Sequence, residues 1–192
     1  MIWNNIIVFD LEATCFRLKK PPPPEIIEIG AVKLDAEGNE LSKFQSFVKP
    51  VIAPKLSKFC TKLTGIRQEH VNHAAEFDSV IFDFEDWMMQ DSQNAPILAS
   101  WGRYDIQQLQ VETNRMNHQL LHNYEHIPLN EEHARINQLH QPIGLVNALK
   151  LDNMEFKGSP HGALDDAINA SRIFRRFVGQ WMIPKPIRNR RR

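Results

Sequence analysis

Long apolar runs and an excess of charge of one sign are both missing from this sequence. The formal net charge of its 192 residues is zero, with 23 basic and 23 acidic side chains. Such a chain has no overall field that attracts nucleic acid or an anionic membrane, so a polyanion must be bound at a local site. The apolar stretches are shorter than a membrane span, and no basic segment with a cleavage signal precedes the first of them. We therefore expect a cytoplasmic protein with no membrane partner.

Cysteine is scarce as well. Cys15 and Cys60 lie far apart, with no C-x-x-C spacing. This usage fits reduced thiols better than a disulfide framework or a zinc site. With 192 residues, the chain is long enough for one domain with a substantial core and too short for two. We expect that domain to span residues 1–182, followed by a basic, mobile tail at residues 183–192.

The order of the predicted elements indicates an α/β fold. Strands are predicted at 3–10, 25–35, 40–49 and 95–100, the second and third joined as a hairpin. Helices are predicted at 54–63, 68–75, 78–90, 103–117 and 144–149, and a last helix starts near residue 161 and runs to about residue 181. The segment 118–141 is polar and rich in histidine, and its assignment stays loose. Three strands, then helices, a strand and more helices predict a mixed sheet that is covered on both faces.

Two carboxylates stand at the end of the first predicted strand, in the stretch VFDLEAT. Side chains two positions apart on a strand point the same way, so Asp10 and Glu12 should lie side by side. Two carboxylates that close repel each other unless a cation lies between them, and a divalent ion with oxygen ligands is the commonest such cation. The alternative is a strand that runs out into a solvated acidic turn.

Two further acidic segments follow. In SWGRYDIQQLQ, Asp105 stands at the start of a predicted helix, where it could belong to a site or only cap the helix. In SPHGALDDAINASRIF, Pro160 and Gly162 place His161 on the loop before a helix, whereas Asp166 lies one turn inside it. A mobile imidazole beside a fixed carboxylate suits a general base and a metal ligand. The alternative is a helix N-terminus with ordinary acidic residues.

Taken together, the three segments resemble the motifs of a known enzyme family. FDLEAT, YDIQQL and HGALDDA are similar, in that order, to the three motifs of the DEDDh 3′-to-5′ exonucleases. EIIEIGAV, FVKP and LSKFCTKLTGI resemble the Eri-type branch of that family. The resemblance implies a ribonuclease H-like single domain, with a mixed five-stranded sheet flanked by helices on both faces. It also implies stepwise hydrolysis of phosphodiesters from a 3′ end to nucleoside 5′-monophosphates.

The same resemblance implies a role for each motif residue. Asp10, Glu12, Asp105 and Asp166 would hold two divalent cations, Mg²⁺ or Mn²⁺, with Asp10 able to bridge them. Ions about 4 Å apart activate water and stabilise charge on the attacking and leaving oxygens. His161 would be the general base, since histidine titrates close to neutral pH. Glu12 counts as catalytic as well as a metal ligand.

Side chains near the motifs are candidates for binding the substrate. A 3′-terminal base needs an apolar or aromatic surface to stack on. The candidates for stacking are Leu11, Phe16 and Tyr104, and core packing is an equally open reading for Leu11. The candidates for contact with phosphates are Lys19, Lys20 and Arg103.

The nature of the substrate rests on the Eri-type similarity, which favours RNA. No motif in the sequence reads the 2′-hydroxyl that distinguishes RNA from DNA. We expect single-stranded or 3′-overhang nucleic acid as the partner, and a monomer or a homo-oligomer as the state of the protein. A DNA-directed exonuclease and a catalytically inert nucleic-acid-binding module are the alternatives.

Overall fold

A computed structural model describes residues 5–90, 95–116 and 124–183 of the chain. The predicted basic tail falls outside these residues except for its first position, Ile183. In the described part, the strands are β1 (Ile6–Ala13), β2 (Ile26–Leu34), β3 (Glu40–Phe47), β4 (Ile97–Ser100) and β5 (His126–Pro128). The helices there are α1 (Lys58–Thr64), α2 (Gln68–Asn72), α3 (Phe77–Met89), α4 (Tyr104–Arg115), α5 (Leu129–Ile136), α6 (Leu145–Leu151) and α7 (Ala163–Arg176). None of these helices is long and apolar enough to cross a membrane.

The strands form one mixed sheet in the order β3-β2-β1-β4-β5. β1, β2 and β3 are antiparallel neighbours, and β4 and β5 run parallel to β1. The β2–β3 hairpin turns at Gly38, whose φ of +83° is a conformation that favours glycine. The predicted α/β fold with a mixed five-stranded sheet is therefore confirmed. The fifth strand, β5, comes from the segment that the sequence left loosely assigned.

The central strand β1 is buried on both faces, and its side chains alternate between two cores. Ile6 and Val8 pack with residues of α6 and α7 in one core. Ile7 and Phe9 pack with residues of α3 and α4 in the other. The two helical layers therefore cover opposite faces of the sheet, as expected.

Two element boundaries differ from the prediction in ways that affect the site. β1 extends to Ala13 instead of ending at Asp10, because Glu12 still pairs with Glu28 on β2. The last helix ends at Arg176 rather than near Trp181. The chain turns back there, and the Trp181 ring stacks on Phe174 with a centroid distance of 5.3 Å.

Candidate active site

The acidic segments meet where β1 ends, between the starts of α4 and α7. Alternation along β1 puts Asp10 and Glu12 on the same face as Val8, the face that α7 covers. β4 ends at Ser100, next to this point, and the chain continues into α4. In open α/β sheets, ligands bind in the crevice outside the carboxyl ends of such strands.

Three of the predicted side chains already surround one point. Ligand atoms of Glu12, His161 and Asp166 all lie within 4.8 Å of one another. Two carboxylates and an imidazole at that spacing can share a divalent ion. The structure thus brings the first and third acidic segments together, as the sequence predicted.

Asp105 joins the group from the first turn of α4. Its side chain is 7% exposed, and its Oδ1 accepts a hydrogen bond of 3.3 Å from the backbone N–H of Leu11. The amide of Leu11 lies beyond the last residue of β1 that pairs with β4, Val8, so no strand satisfies it there. Asp105 is therefore tied to β1, which is more than a helix cap requires.

The start of α7 is held against β2 by two residues. The Oε2 atom of Glu28 accepts a hydrogen bond of 3.1 Å from the N–H of Ala163, the first residue of α7. Glu28 Oε1 accepts a second bond, of 2.7 Å, from Gln45 Nε2. A Cβ atom at Gly30 would lie 2.1 Å from the backbone N of Leu164, so only glycine permits this approach. No local pattern marks Gly30, because the helix that it contacts is far along the chain.

His161 lies on a tightly held loop just before α7, and Asp166 is the fourth residue of the helix. This placement confirms the prediction for both. His161 has a φ of +66°, and its N–H donates a 3.2 Å hydrogen bond to Asp166 Oδ2. Asp165 supports the same loop, because its Oδ2 accepts a 2.8 Å bond from the N–H of Ser159. The imidazole itself is exposed at the site.

The carboxylates have perturbed acidities because they are buried together. Burial raises the pKa of Glu12 to about 8, and the charges of Asp166, Glu28 and Asp105 raise it as well. Burial raises the pKa of Asp105 to about 7 against the lowering effect of the Leu11 amide. It raises the pKa of Asp166 to about 6, while the N–H of His161 lowers it.

The pKa of Asp10 is raised as well. Burial raises its pKa well above the ordinary range, and the charges of Asp105, Asp166, Glu12 and Glu28 add to that. Among residues 5–90, 95–116 and 124–183, no basic side chain forms an ion pair with any of the four motif carboxylates. Four carboxylates that no described Lys or Arg neutralises fit divalent metal ions, which take hard oxygen ligands and favour the ionised form.

The candidates for substrate binding fall into two groups. Tyr104 is 54% exposed, Phe16 is partly exposed, and Lys19 and Lys20 are exposed on the proline-rich loop. Leu11, by contrast, is 5% exposed and belongs to the core between β1, α3 and α4, which favours the packing reading. Arg103 binds Glu131 through two hydrogen bonds of 2.5 and 2.8 Å, so its guanidinium is already engaged.

Comparisons with known proteins agree with this geometry. A model of the exonuclease family RNase_T matches residues 7–174. ERI1 exoribonuclease 2 of Danio rerio is 32% identical over 204 residues, which cover 92% of this chain and 35% of that protein. 3′-5′ exoribonuclease 1 of Homo sapiens is 29% identical over 188 residues, which cover 92% of this chain and 53% of that protein. The chain thus spans roughly a third to a half of the length of these relatives.

A solved structure is similar over nearly the whole chain. It is the nuclease domain of 3′hExo, a DEDDh family member, bound to rAMP. The two share 28% identity and superpose with a TM-score of 0.84, covering 96% of this chain and 98% of that one. The region matched by the family model contains all three acidic segments. The chain therefore belongs to the RNase_T family of exonucleases, in its DEDDh group.

Proposed function

We propose that this chain is a metal-dependent exonuclease that releases nucleoside 5′-monophosphates, one at a time, from the 3′ end of RNA. The observation that carries the proposal is the convergence of Glu12, Asp166 and His161 on one point, with Asp10 and Asp105 beside it. Similarity to proteins named exoribonucleases supports RNA as the substrate. So does the likeness to a 3′-exonuclease solved for 3′-end recognition of a histone mRNA stem-loop, at 28% identity and a TM-score of 0.82.

The cofactors in this proposal are two divalent cations, Mg²⁺ or Mn²⁺. Asp10, Glu12, Asp105 and Asp166 would hold them, because carboxylate oxygens are the ligands that such ions prefer. When bound, the ions supply water activation and stabilise negative charge on the attacking and leaving oxygens.

The proton chemistry falls to the side chains of the chain itself. His161 accepts the proton of the attacking water, since its imidazole is exposed at the site and lies within 4.8 Å of the Glu12 and Asp166 carboxylates. The exposed side of the ring then passes that proton to solvent. Glu28 and Gly30 contribute indirectly, because they fix the start of α7 and with it the loop that carries His161.

Substrate binding in this proposal uses the exposed candidates. Tyr104 and Phe16 stack on the 3′-terminal base, and Lys19 and Lys20 contact phosphates of a single-stranded or 3′-overhang substrate. Leu11 supports the site through packing, and Arg103 orients the start of α4 through Glu131. A cytoplasmic location and a monomeric or homo-oligomeric state belong to the same proposal.

The test uses matched RNA and DNA single strands labelled at the 5′ end, incubated with Mn²⁺, with Mg²⁺ or with EDTA. We expect a ladder that shortens by one nucleotide at a time from the 3′ end, requires the metal and forms faster on RNA. The Asp10→Asn variant is the control for contaminating nuclease. A ladder on DNA alone would keep the chemistry and overturn the choice of RNA. If neither strand were cleaved, the result would favour the alternative that the protein is a catalytically inert nucleic-acid-binding module.

A further inference from the structure

A basic groove on α1 lies close to the acidic site but is separate from it. Its lining consists of Arg17, Lys58, Phe59, Lys62 and Leu63, and its volume is about 460 Å³. Lys58 and Lys62 are four residues apart on α1, so they share one face of the helix. The lining contains three cations and no carboxylate, in a chain whose net charge is zero. We call this surface the α1 groove.

The α1 groove is joined to the segment that directly follows the catalytic strand. Ser57 Oγ, at the start of α1, donates a hydrogen bond of 2.6 Å to the carbonyl oxygen of Cys15. Cys60 Sγ on the same helix donates a bond of 3.7 Å to the carbonyl oxygen of Ala13, the last residue of β1. Arg17 follows Glu12 by five residues, a stretch that spans at most about 17 Å. A strand whose 3′ end lies in the acidic site can therefore reach the groove within a few nucleotides.

One cation of the groove, Arg17, is held in place by an aromatic ring, and no described carboxylate pairs with any of the three. The guanidinium carbon of Arg17 lies 4.4 Å from the centroid of the Phe59 ring, a cation–π contact that fixes its position over an apolar floor. Within the part of the chain that the structure describes, none of Arg17, Lys58 and Lys62 forms an ion pair with a carboxylate. Arg67 and Arg135 do form such pairs. The groove therefore combines three cations that no described ion pair neutralises with an aromatic floor, and its lining contains no carboxylate.

We propose that the α1 groove binds the sugar–phosphate backbone of the substrate strand on the 5′ side of the terminal nucleotide. This assignment rests on the proposed function in one respect, namely that the bound strand is the RNA substrate. Arg17, Lys58 and Lys62 contact phosphates, while Phe59 and Leu63 provide apolar surface for riboses and bases. The combination of a positive groove with an aromatic side chain is the one that binds single strands without reading their sequence. In a chain without net charge, this groove adds local positive charge to that of Lys19 and Lys20 for binding a polyanion.

The test compares RNA affinity between two variants with the same change in net charge. The groove variant carries Arg17→Gln, Lys58→Gln and Lys62→Gln, all at exposed side chains, and keeps the apolar floor. The control variant carries Lys150→Gln, Arg175→Gln and Arg176→Gln, which are also exposed and lie on α6 and the far end of α7. Both are made in the Asp10→Asn background, so that a fluorescein-labelled 12-nucleotide RNA stays intact. Fluorescence anisotropy is then measured from 50 to 200 mM salt.

The expected result follows from counterion release. Each neutralised phosphate on a single strand contributes about 0.7 to the slope of log affinity against log salt, so three contacts contribute about 2. The control should lose about 20-fold more affinity than the groove variant between 50 and 200 mM salt. At 50 mM salt, the groove variant should bind RNA at least about 10-fold more weakly than the control.

Equal affinities and equal salt slopes for the two variants would overturn the proposal. If the groove variant alone then lost affinity for polyglutamate, the groove would be assigned to an acidic protein segment instead of a nucleic acid. Anisotropy reads binding and not cleavage, so the two proposals fail separately. A wild-type protein that degrades no RNA would overturn the proposed function, while the comparison of affinities would still decide the groove.

Discussion

At the scale of single residues, Asp10 is the centre of the candidate site. Its half-buried carboxyl group lies beside the charges of Asp105, Asp166, Glu12 and Glu28, all of which raise its pKa. We expect Asp10→Asn to lower the rate of RNA cleavage by more than about 100-fold. Loss of a group that only supports a metal ligand costs about 10- to 100-fold, and loss of a ligand itself should cost more. The metal-free variant should be at least as stable as wild type, because an amide, unlike the Asp10 carboxylate, does not have to take up a proton when it is placed among the other carboxylates.

Cleavage rates and urea denaturation in EDTA check both parts of the Asp10 prediction. Asp83→Asn, at an exposed carboxylate on α3, is the matched control and should change neither quantity. Retention of most of the activity by Asp10→Asn would contradict the role of Asp10 as a metal ligand.

His161 allows a second test at this scale. His161→Ala should lower the rate of cleavage by roughly 100-fold or more, the usual contribution of a general base. The acidic limb of the pH–rate profile should also flatten, because the group that must be deprotonated is absent. The comparison is with His140→Ala, which removes an exposed histidine outside the site. A His161→Ala profile that still falls below pH 7 as in wild type would assign the base to another group.

At the scale of elements, the contact between β2 and α7 decides whether the site assembles. A methyl group at Gly30 would lie 2.1 Å from Leu164 N and 2.2 Å from the carbonyl carbon of Ala163. Backbone cannot yield as a flexible side chain does, so Gly30→Ala should push the start of α7 away from β1. We expect the free energy of unfolding to fall by about 1–3 kcal/mol, and cleavage to fall because His161 and Asp166 move with the helix.

Urea denaturation and the cleavage assay measure the effect at Gly30. Gly144→Ala is the control, because a Cβ atom there meets nothing within 4 Å and the backbone φ of −66° suits alanine. If Gly30→Ala were as stable and as active as Gly144→Ala, the close approach of α7 to β2 would not be what positions the site.

At the scale of the whole molecule, the buried carboxylates link stability to pH and to metal. The pKa values of Glu12, Asp105 and Asp166 rise to about 8, 7 and 6. In the unfolded chain, these groups titrate near pH 4. The metal-free folded state therefore binds more protons than the unfolded state between about pH 4 and pH 8. The free energy of unfolding must then fall as pH rises through that range, since its slope follows the difference in bound protons.

Divalent metal should reverse this trend, because it binds the ionised carboxylates of the folded state only. We expect the melting temperature in EDTA to fall from pH 5.5 to pH 8.5, and the increase on adding Mg²⁺ or Mn²⁺ to grow over the same range. Thermal melts at each pH, with and without metal, measure both quantities. A stabilisation by metal that does not depend on pH would contradict the assignment of these carboxylates as ligands.

The chain's local patterns were enough to predict most of the elements. An apolar run and the turn at Gly38 predicted β2 and the β2–β3 hairpin to within two residues. Apolar residues at helical spacing predicted α3, where Ile81, Phe84 and Met88 are buried. The order of the three acidic segments and the position of His161 outside α7 were also readable. These features depend on residues close together in sequence, where periodicity and turn chemistry act directly.

The remaining features depend on partners that are distant along the chain. Only the pairing with β2 extends β1 through Glu12, and only the pairing with β4 makes a strand of the three residues His126–Pro128. The sequence is compatible with either core packing or substrate contact for Leu11, and its packing with residues of α3 and α4 favours the core. The sequence by itself therefore determined the family, the order of elements and the set of acidic residues. Tertiary structure decided which of those residues meet and how closely, because burial and cross-strand contacts arise only when the sheet and helices assemble.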